Sequence, residues 1–322
     1  MCSLKPFSPM MPTLSHSIPN DSDWLYEPKY DGYRMQVLWQ SENDIRFFSR
    51  RLRDITSQFP DLMMHFKYVS DLFLPFLPLV LDGECCILKS AFKADFSSIQ
   101  SRGQAKSKVT IDSLCKKKPA SYVIFDVLYQ NGKDLRPFSL LKRHEIINHL
   151  SITTLNETTS PLQGIYKIKF FSDSDKLWDL ILKHHGEGLV SKKKNSKWLQ
   201  GKRTRSWIKV KNKQYGIFIL TAYNKENDYF QVGLVKNKNV VSVGSFTHGL
   251  NEMERKALKT TVKNHTIKED KTYLYINPGL CIELSFLEWT KEGFREPRFE
   301  SFQMDKNWED CKWDKIMRNN KS

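Results

Sequence analysis

EPKYDGYR, residues 27–34, places one lysine, Lys29, close to a carboxylate, a glycine and a guanidinium. One interpretation is a β-hairpin in which Asp31 and Gly32 form the tight turn and Lys29 and Arg34 are solvated flanks. The residues from WLYEPKYDGYRMQVLWQ to DIRFFSRR would then form a strand, a tight turn and two further strands. The other interpretation is that the amine is held for chemistry, and the remainder of the chain decides between the two.

The chain carries an excess of positive charge. Its 322 residues predict two domains, and the formal net charge of +15 favours a polyanionic partner, either nucleic acid or an anionic membrane surface. The longest apolar run, LFLPFLPLVL (72–81), is too short to span a bilayer and contains two prolines. The N-terminal residues lack the apolar segment of an export signal. We therefore expect a nucleic-acid partner and no membrane insertion.

The cysteines indicate no metal or disulfide framework. They lie at positions 2, 85, 86, 115, 281 and 311, and none has the CxxC spacing of a zinc site. Cys85 and Cys86 are neighbours, and on a strand they would face opposite sides. This cysteine usage is typical of a cytoplasmic protein with reduced thiols.

The apolar patterns predict both helices and strands. Predicted helices occupy 54–73, 139–150 and 173–186, and predicted strands occupy 79–88, 121–135, GLVSKKK (188–194) and SWIKVKN (206–212). The last of these helices is expected to end at Gly186. After about residue 213, roughly five short strands recur around one amphipathic helix, 251–265, a pattern that is typical of a small OB-type barrel.

Two further segments hold residues suited to chemistry. In LDGECC, Glu84 lies in the middle of a strand that is otherwise apolar, and a buried carboxylate needs a cation or a ligand. The segment from Lys183 to Lys213 contains eleven Lys or Arg residues and a single acid, Glu187. The alternation in SWIKVK predicts that Trp207, Lys209 and Lys211 project on one side of a strand. Two amines near a lone glutamate are suited to a phosphate and a divalent metal.

KYDGYR, LDGE, FDVLY, GEGLVSK and WIKVK, in this order, resemble the motif series of ATP-dependent DNA ligases, which belong to the covalent nucleotidyltransferases. The similarity is greatest to the ligase module of bacterial ligase D-type enzymes, which act in non-homologous end joining. The resemblance implies an α+β fold. A nucleotidyltransferase (adenylation) domain of mixed antiparallel sheets and helices, 1–213, would precede a small OB-fold β-barrel domain, 214–322. It also implies ATP and Mg²⁺ or Mn²⁺ as cofactors, duplex DNA with nicks or ends as substrate, and Ku as a candidate partner.

The resemblance implies that Lys29 is the nucleophile. In this family the lysine amine attacks the α-phosphate of ATP, AMP passes from the lysine to a DNA 5′-phosphate, and the 3′-hydroxyl then displaces AMP. A lysine with an unperturbed pKa of about 10.4 is almost entirely an ammonium ion near neutral pH. A positive field from the metal, Lys209 and Lys211 is therefore expected to disfavour the ammonium form and to neutralise charge on the phosphates.

The other implied roles fall on residues that match the family's motifs. Nucleotide contacts are implied for Glu27 (adenine amino group), Phe125 (base stacking), Arg34 and Arg50 (ribose and DNA 5′-phosphate), Glu84 (ribose or metal), and the motif lysine Lys192. Metal contacts are implied for Asp31, Glu187 and Glu84.

The sequence departs from the family in two places. Leu52 stands where a glycine commonly follows the SR pair, so that turn is expected to differ and Arg51 could compete with Arg50. Gln303 stands where an arginine usually precedes Asp-Lys, which predicts slow adenylylation unless Arg295 or Lys306 orients the pyrophosphate. The alternatives are an RNA ligase or a capping-type guanylyltransferase, which share the lysine chemistry, and a basic nucleic-acid-binding module without catalysis.

Overall fold

The computed structural model describes residues 4–290 and 293–315, and its contacts divide the chain into two units, Met1–Asn212 and Lys213–Ser322. The strands of the first unit are β1 (Met11–Leu14), β2 (Trp24–Pro28), β3 (Tyr33–Ser41), β4 (Asp44–Ser49), β5 (Leu79–Cys86), β6 (Leu88–Ser90), β7 (Lys93–Ala94), β8 (Ser121–Gln130), β9 (Lys133–Asp134), β10 (Ile165–Lys167), β11 (Gly188–Lys193) and β12 (Arg203–Lys211). Its helices are α1 (Pro60–Tyr68), α2 (Phe96–Gln104), α3 (Lys108–Lys117), α4 (Leu140–His149) and α5 (Ser174–Lys183).

Two sheets form the frame of the first unit. One has the order β1-β12-β11-β2, and the other has the order β10-β8-β5-β3-β4 with β9 on β8. The central strands β5 and β8 are almost wholly buried, and their mainly apolar side chains are interrupted by the acids Asp82, Glu84 and Asp126. Cys85 and Cys86 belong to different hydrophobic clusters, which confirms that these neighbours face opposite sides of β5.

The hairpin interpretation of KYDGYR is wrong. Strand β2 pairs with β11 in one sheet, whereas β3 pairs with β4 and β5 in the other. The segment 29–32 therefore crosses from one sheet to the other instead of joining paired strands. Gly32 is needed for close approach, because a Cβ there would lie 2.3 Å from the carbonyl oxygen of Cys85.

Several predicted elements have different bounds in the structure; the strand expected over 206–212, for example, is β12 and begins at Arg203. The helix expected over 54–73 is α-helical only over Pro60–Tyr68, because Pro60 occupies the first turn and disfavours helix before it. The strand expected over 121–135 ends at Gln130, where Asn131 and Gly132, with φ of 49° and 80°, turn the chain into β9.

The end of α5 also differs from the prediction. The helix ends at Lys183, and His185, with a φ of 51°, takes the left-handed position that was expected of Gly186. Gly186 donates its backbone N–H to the carbonyl of Ile181 at 2.8 Å. It is a glycine for another reason, since a Cβ would lie 2.6 Å from the carbonyl oxygen of Phe92.

The second unit is built on a seven-stranded antiparallel sheet. The described strands of the unit are β13 (Gln214–Asn224), β14 (Phe230–Lys236), β15 (Asn239–Phe246), β16 (Thr266–Glu269), β17 (Tyr273–Ile276), β18 (Cys281–Phe286), β19 (Glu288–Thr290), β20 (Gly293–Arg295) and β21 (Arg298–Phe302). The sheet order is β15-β14-β13-β17-β16, with β18 on β13 and β21 on β18, and β19 pairs with β20. The described strands thus outnumber the roughly five that the sequence predicts.

The predicted helix over 251–265 is confirmed as α6 (Glu252–Asn264). Asn251 and Glu254 cap its first turn reciprocally, with Asn251 accepting from the backbone of Glu254 and Glu254 accepting from the backbone of Asn251. Leu258 and Val262 form its buried face against the sheet. Within the described residues, no helix of the chain is both long enough and apolar enough to cross a membrane.

Candidate active site

A cavity of about 1100 Å³ lies in the first unit and is lined by residues from both of its sheets. Strands β1, β2, β3, β5, β8, β11 and β12 all contribute to its wall. Of the predicted site residues, the cavity lining includes Glu27, Lys29, Asp31, Arg34, Arg50, Glu84, Phe125, Lys192 and Lys209. Lys211 and Glu187 are not part of this lining. Segments that are far apart in the sequence thus meet around one space large enough for a nucleotide.

Lys29 is fixed at both its backbone and its side chain. Its backbone N–H donates to the carbonyl of Gly188 at 2.8 Å, and its Nζ donates to Oε2 of Glu187 at 2.6 Å. The side chain of Lys29 is 20% exposed, whereas that of Glu187 is 8% exposed. Gly188, with a φ of 142°, lets β11 approach β12 closely, since a Cβ would lie 2.1 Å from the carbonyl oxygen of Val210.

Charged groups of both signs surround this lysine. Burial raises the pKa of the Glu84 carboxyl to about 8; the charges of Lys29 and Arg34 oppose this shift, and that of Glu187 adds to it. Burial and the nearby charges of Lys29 and Lys211 lower the pKa of Lys209. The site therefore combines crowded carboxyl groups with crowded amines, an arrangement that a phosphate and a metal ion would relieve.

The other part of the cavity is aromatic and holds a buried ion pair. Lys192 Nζ lies 2.7 Å from Oε2 of Glu27, and both side chains are almost fully buried. The same amine lies 4.4 Å from the ring centroid of Phe125 and 4.3 Å from that of Trp207. The two rings meet edge to face, 6.3 Å apart. A planar base can stack on such a surface beside a carboxylate acceptor.

His144 is a neighbour of this ion pair that sequence reasoning missed. Its Nε2 lies 3.8 Å from Oε1 of Glu27, and its ring stacks on Phe170 with centroids 3.7 Å apart. Burial lowers the pKa of His144 to about 3, although the charge of Asp126 opposes the shift. Burial raises the pKa of Glu27 to about 7, although Lys192 lowers it.

Arg34 is held by protein groups within the cavity wall. Its Nε and Nη2 donate to the two oxygens of Asp82 at 3.0 and 2.7 Å, and its Nη1 donates to the carbonyl of Met10. Asp82 is fully buried and also accepts from the indole N–H of Trp198 at 3.2 Å. The ribose or phosphate contact implied for Arg34 stays a prediction. In this structure the guanidinium of Arg34 forms an ion pair with Asp82.

Arg50, Arg51 and Arg53 reach the cavity together from the turn after β4. Leu52 within this turn has a φ of 59°, the left-handed conformation that glycine adopts at least cost. Ser49 closes the turn by exchanging backbone hydrogen bonds with Leu52 and Arg53 at 2.8 and 2.9 Å. The expectation that Arg51 could compete with Arg50 stays open, since both line the cavity.

The carboxylates suit a metal that is shared with phosphates. Among the described residues, no three His, Cys, Asp or Glu side chains come together as a protein cage for a metal ion. Mg²⁺ is usually bound by one or two carboxylates together with substrate phosphates and water. Asp31 and Glu84 line the cavity, and the charge of Glu187 acts on Glu84, so this donor set fits such an ion.

Gln303, Arg295 and Lys306 lie in the second unit. Gln303 donates its side-chain amide to Oγ of Ser301 at 2.9 Å, and Lys306 Nζ lies 3.9 Å from Asp305. Burial lowers the pKa of Arg295 at the end of β20, and Glu296 opposes the shift. The pyrophosphate-orienting role of Arg295 or Lys306 stays a prediction.

The chain is similar to known ligases along most of its length. The family model described as "ATP dependent DNA ligase domain" matches residues 9–211, and "ATP dependent DNA ligase C terminal region" matches residues 211–306. "Bifunctional non-homologous end joining protein LigD" of Bacillus subtilis is 30% identical over 97% of this chain and 51% of that protein. "SPbeta prophage-derived DNA ligase-like protein LigB" of the same organism is 30% identical over 91% of this chain and 98% of that protein. The chain thus spans about half of the first relative and nearly all of the second.

Solved structures are similar to the chain in fold. A mycobacterial DNA ligase D complexed with ATP and MES matches with a TM-score of 0.54 and 23% identity, covering 95% of this chain and 97% of that one. A structure from a study of Lig E DNA ligases matches with a TM-score of 0.60 and 16% identity, covering 93% of this chain and 100% of that one. The predicted α+β architecture, a nucleotidyltransferase domain followed by an OB-fold domain, is confirmed.

Proposed function

Because this chain belongs to the ATP-dependent DNA ligases, we propose that it seals breaks in duplex DNA through an AMP group carried covalently on Lys29. The observation that carries the proposal is the position of Lys29 in the cavity wall. Its amine is held by Glu187 at 2.6 Å, and the same cavity offers a carboxylate and an aromatic ring for a base.

The proposed reaction has three transfers at phosphorus. First, the amine of Lys29 attacks the α-phosphorus of ATP, forming a P–N bond while the bond to the bridging oxygen breaks and pyrophosphate leaves. Glu187 accepts a hydrogen bond from the amine and orients it, and the proton that the amine loses passes to solvent. Second, a DNA 5′-phosphate oxygen displaces Lys29 from the AMP phosphorus. Third, the DNA 3′-hydroxyl attacks the activated 5′-phosphate, and AMP leaves.

The residues of this chain hold the substrate for these steps mainly by charge and stacking. Phe125 would stack on adenine, with Glu27 accepting from its exocyclic amine. Lys209, whose pKa is lowered by burial and by Lys29 and Lys211, would neutralise charge on the phosphates as they react. Arg50 and its neighbours in the turn after β4 would contact the DNA 5′-phosphate.

Asp31, Glu84 and Glu187 would hold Mg²⁺ or Mn²⁺ together with the phosphates of ATP. When bound, such an ion supplies positive charge that orients the phosphates and stabilises the charge that develops on them.

We propose nicked or broken duplex DNA as the substrate, with end joining as the pathway and Ku as a candidate partner. The net charge of +15 supports a polyanionic substrate, and the 30% identical relative named as a DNA ligase-like protein supports DNA over RNA. The described cysteines, all present as free thiols, are in keeping with a cytoplasmic location.

The proposal is tested with α-labelled ATP and GTP followed by nicked, cohesive-ended and blunt DNA, with and without Ku. We expect acid-labile labelling by ATP and not by GTP. Lys29→Ala should lose both labelling and sealing of ordinary nicks, and should keep some sealing of nicks that are already adenylated. Lys108→Ala, which removes an exposed lysine of the same unit, serves as the matched control. DNA binding without any covalent nucleotide would instead support the non-catalytic module.

A further inference from the structure

The carboxylate of Glu27 has one satisfied oxygen and one that lacks a protein partner. Oε2 lies 2.7 Å from Lys192 Nζ, whereas Oε1 is buried and makes no hydrogen bond within the described residues. Both ring nitrogens of His144 are likewise buried and make no hydrogen bond of good geometry there, although the backbone of Phe125 lies near enough to raise the pKa of the ring. Buried polar atoms are usually paired, so two neighbouring exceptions on different elements call for a common explanation.

The two unsatisfied groups face each other. His144 Nε2 and Glu27 Oε1 are 3.8 Å apart, which is longer than a hydrogen bond and short enough for a small side-chain movement to close. Each residue is less than 5% exposed. The neighbouring cation cannot substitute for His144, because Arg143 donates to both oxygens of Asp126, at 2.7 and 2.9 Å.

We propose that His144 is a positioning residue for recognition of the ATP base. Its imidazole N–H donates a hydrogen bond to Oε1 of Glu27 and so holds this oxygen in place. The same oxygen then also accepts a hydrogen bond from the exocyclic amine of adenine. This inference rests on the proposed function, and it adds a residue whose nitrogens act through Glu27. A carboxylate oxygen has two lone pairs, so Oε1 can accept from the imidazole and from the amine together.

The surroundings of His144 suit this role. Its ring is clamped on Phe170, with the planes inclined by only 19°, so the nitrogens move chiefly within the ring plane. The low pKa keeps the imidazole neutral, and a neutral imidazole has one N–H to donate. It therefore orients Glu27 without adding a second positive charge beside Lys192.

A purely structural role would leave His144 as a ring that packs on Phe170. The two roles differ in one measurable respect, the coupling between the imidazole nitrogen and the amine of the base. We therefore compare ATP with purine riboside triphosphate, which has the same ring system and lacks the exocyclic amine. The measured quantities are the maximal rate and the half-saturating concentration for covalent labelling of the enzyme.

In the wild-type chain, the half-saturating concentration should be roughly tenfold or more higher for purine riboside triphosphate than for ATP, as expected for the loss of a hydrogen bond to a carboxylate. This ratio is the penalty for removing the exocyclic amine of the base. His144→Phe keeps the stacked ring and removes both nitrogens, so that penalty should shrink to about threefold or less. His144→Gln, which restores an N–H of similar reach, should recover the wild-type penalty, whereas His144→Asn, which is too short, should not. His149→Phe alters an exposed histidine of the same helix and is the matched control.

An unchanged penalty in both His144→Phe and His144→Asn overturns the inference, because His144 would then only pack. Thermal unfolding of each variant identifies any that fails to fold. If His144→Phe does not fold, the comparison of His144→Gln with His144→Asn tests the proposal. A wild-type chain that forms no covalent nucleotide with any triphosphate overturns the proposed function itself. A labelled wild type with no coupling to His144 rejects the positioning role alone.

Discussion

Removal of Lys192 should destabilise the first unit in a manner that depends on pH. Lys192→Met takes the cation away from Glu27, which is buried and whose pKa is already raised to about 7. Without its partner the carboxyl will be protonated in the folded chain, while in the unfolded chain it stays ionised near its ordinary pKa. Folding of the variant therefore takes up a proton, and its stability falls as pH rises.

The magnitude follows from the pKa of Glu27. Folding of the wild type already takes up part of a proton at Glu27, because the pKa of this residue is near 7 in the folded chain. The free energy of unfolding of the variant should therefore be lower than that of the wild type by about 1 kcal/mol at pH 7.5 and about 2 kcal/mol at pH 8.5. These losses correspond to decreases in Tm of roughly 2–4 °C and roughly 4–8 °C for a unit of this size. A protonated Glu27 also loses acceptor strength, so the half-saturating ATP concentration should rise about tenfold to a hundredfold.

Thermal unfolding at the two pH values, together with single-turnover labelling, measures both effects. Lys193→Met changes the exposed neighbour of Lys192 and should show neither. Lys192→Met combined with Glu27→Gln should lose the pH dependence, because no titrating carboxyl remains at the site. An equal loss of stability at both pH values would mean that Glu27 takes up no proton on folding of the variant, contrary to this prediction.

Three further predictions concern the reaction itself. Glu187→Gln should abolish covalent labelling even at a raised concentration of Mg²⁺ or Mn²⁺, because the carboxylate positions the ion rather than only attracting it. If a higher metal concentration restored the labelling, Glu187 would be only a general electrostatic contributor. Gln303→Arg should speed formation of lysyl-AMP roughly tenfold if no arginine now orients pyrophosphate; an unchanged rate, beside a collapse in Arg295→Ala or Lys306→Ala, would show that the place is filled. The half-saturating ATP concentration should rise as pH falls through about 7, where Glu27 becomes protonated. The γ-phosphate also titrates near pH 6, so Glu27→Gln is the comparison; its profile should lack the step near pH 7, and a step retained in that variant would contradict the assignment.

The motifs predicted residues that line one cavity, because the motifs are short and follow one another in a fixed order. Lys29 and Glu187 are 158 residues apart and still form a 2.6 Å pair, as two motif residues of one family should. The helix over 252–264 was also predictable, since its cap residues and apolar spacing lie within a single segment.

The errors arose where one local signal serves two physical purposes. The glycine of Asp31-Gly32 has the appearance of a turn, yet it is required by the approach of the Cys85 carbonyl, a contact that no local pattern marks. The tight turn at Asn131-Gly132 has one of the strongest hairpin signals, yet the strand predicted over 121–135 included these two residues. His144 could not be predicted, because its neighbours Glu27 and Phe170 come from separate segments that only the fold brings together.

The position of the covalent nucleotide on the chain can be measured directly. The wild-type chain is incubated with ATP and Mg²⁺, digested under conditions that preserve phosphoramidates, and its peptides are sequenced by mass spectrometry. We expect AMP on the Nζ of Lys29, within the peptide that contains EPKYDGYR, and its release when pyrophosphate or nicked DNA is added. AMP on any other residue, or the absence of covalent AMP from a folded chain that binds ATP, would contradict this expectation.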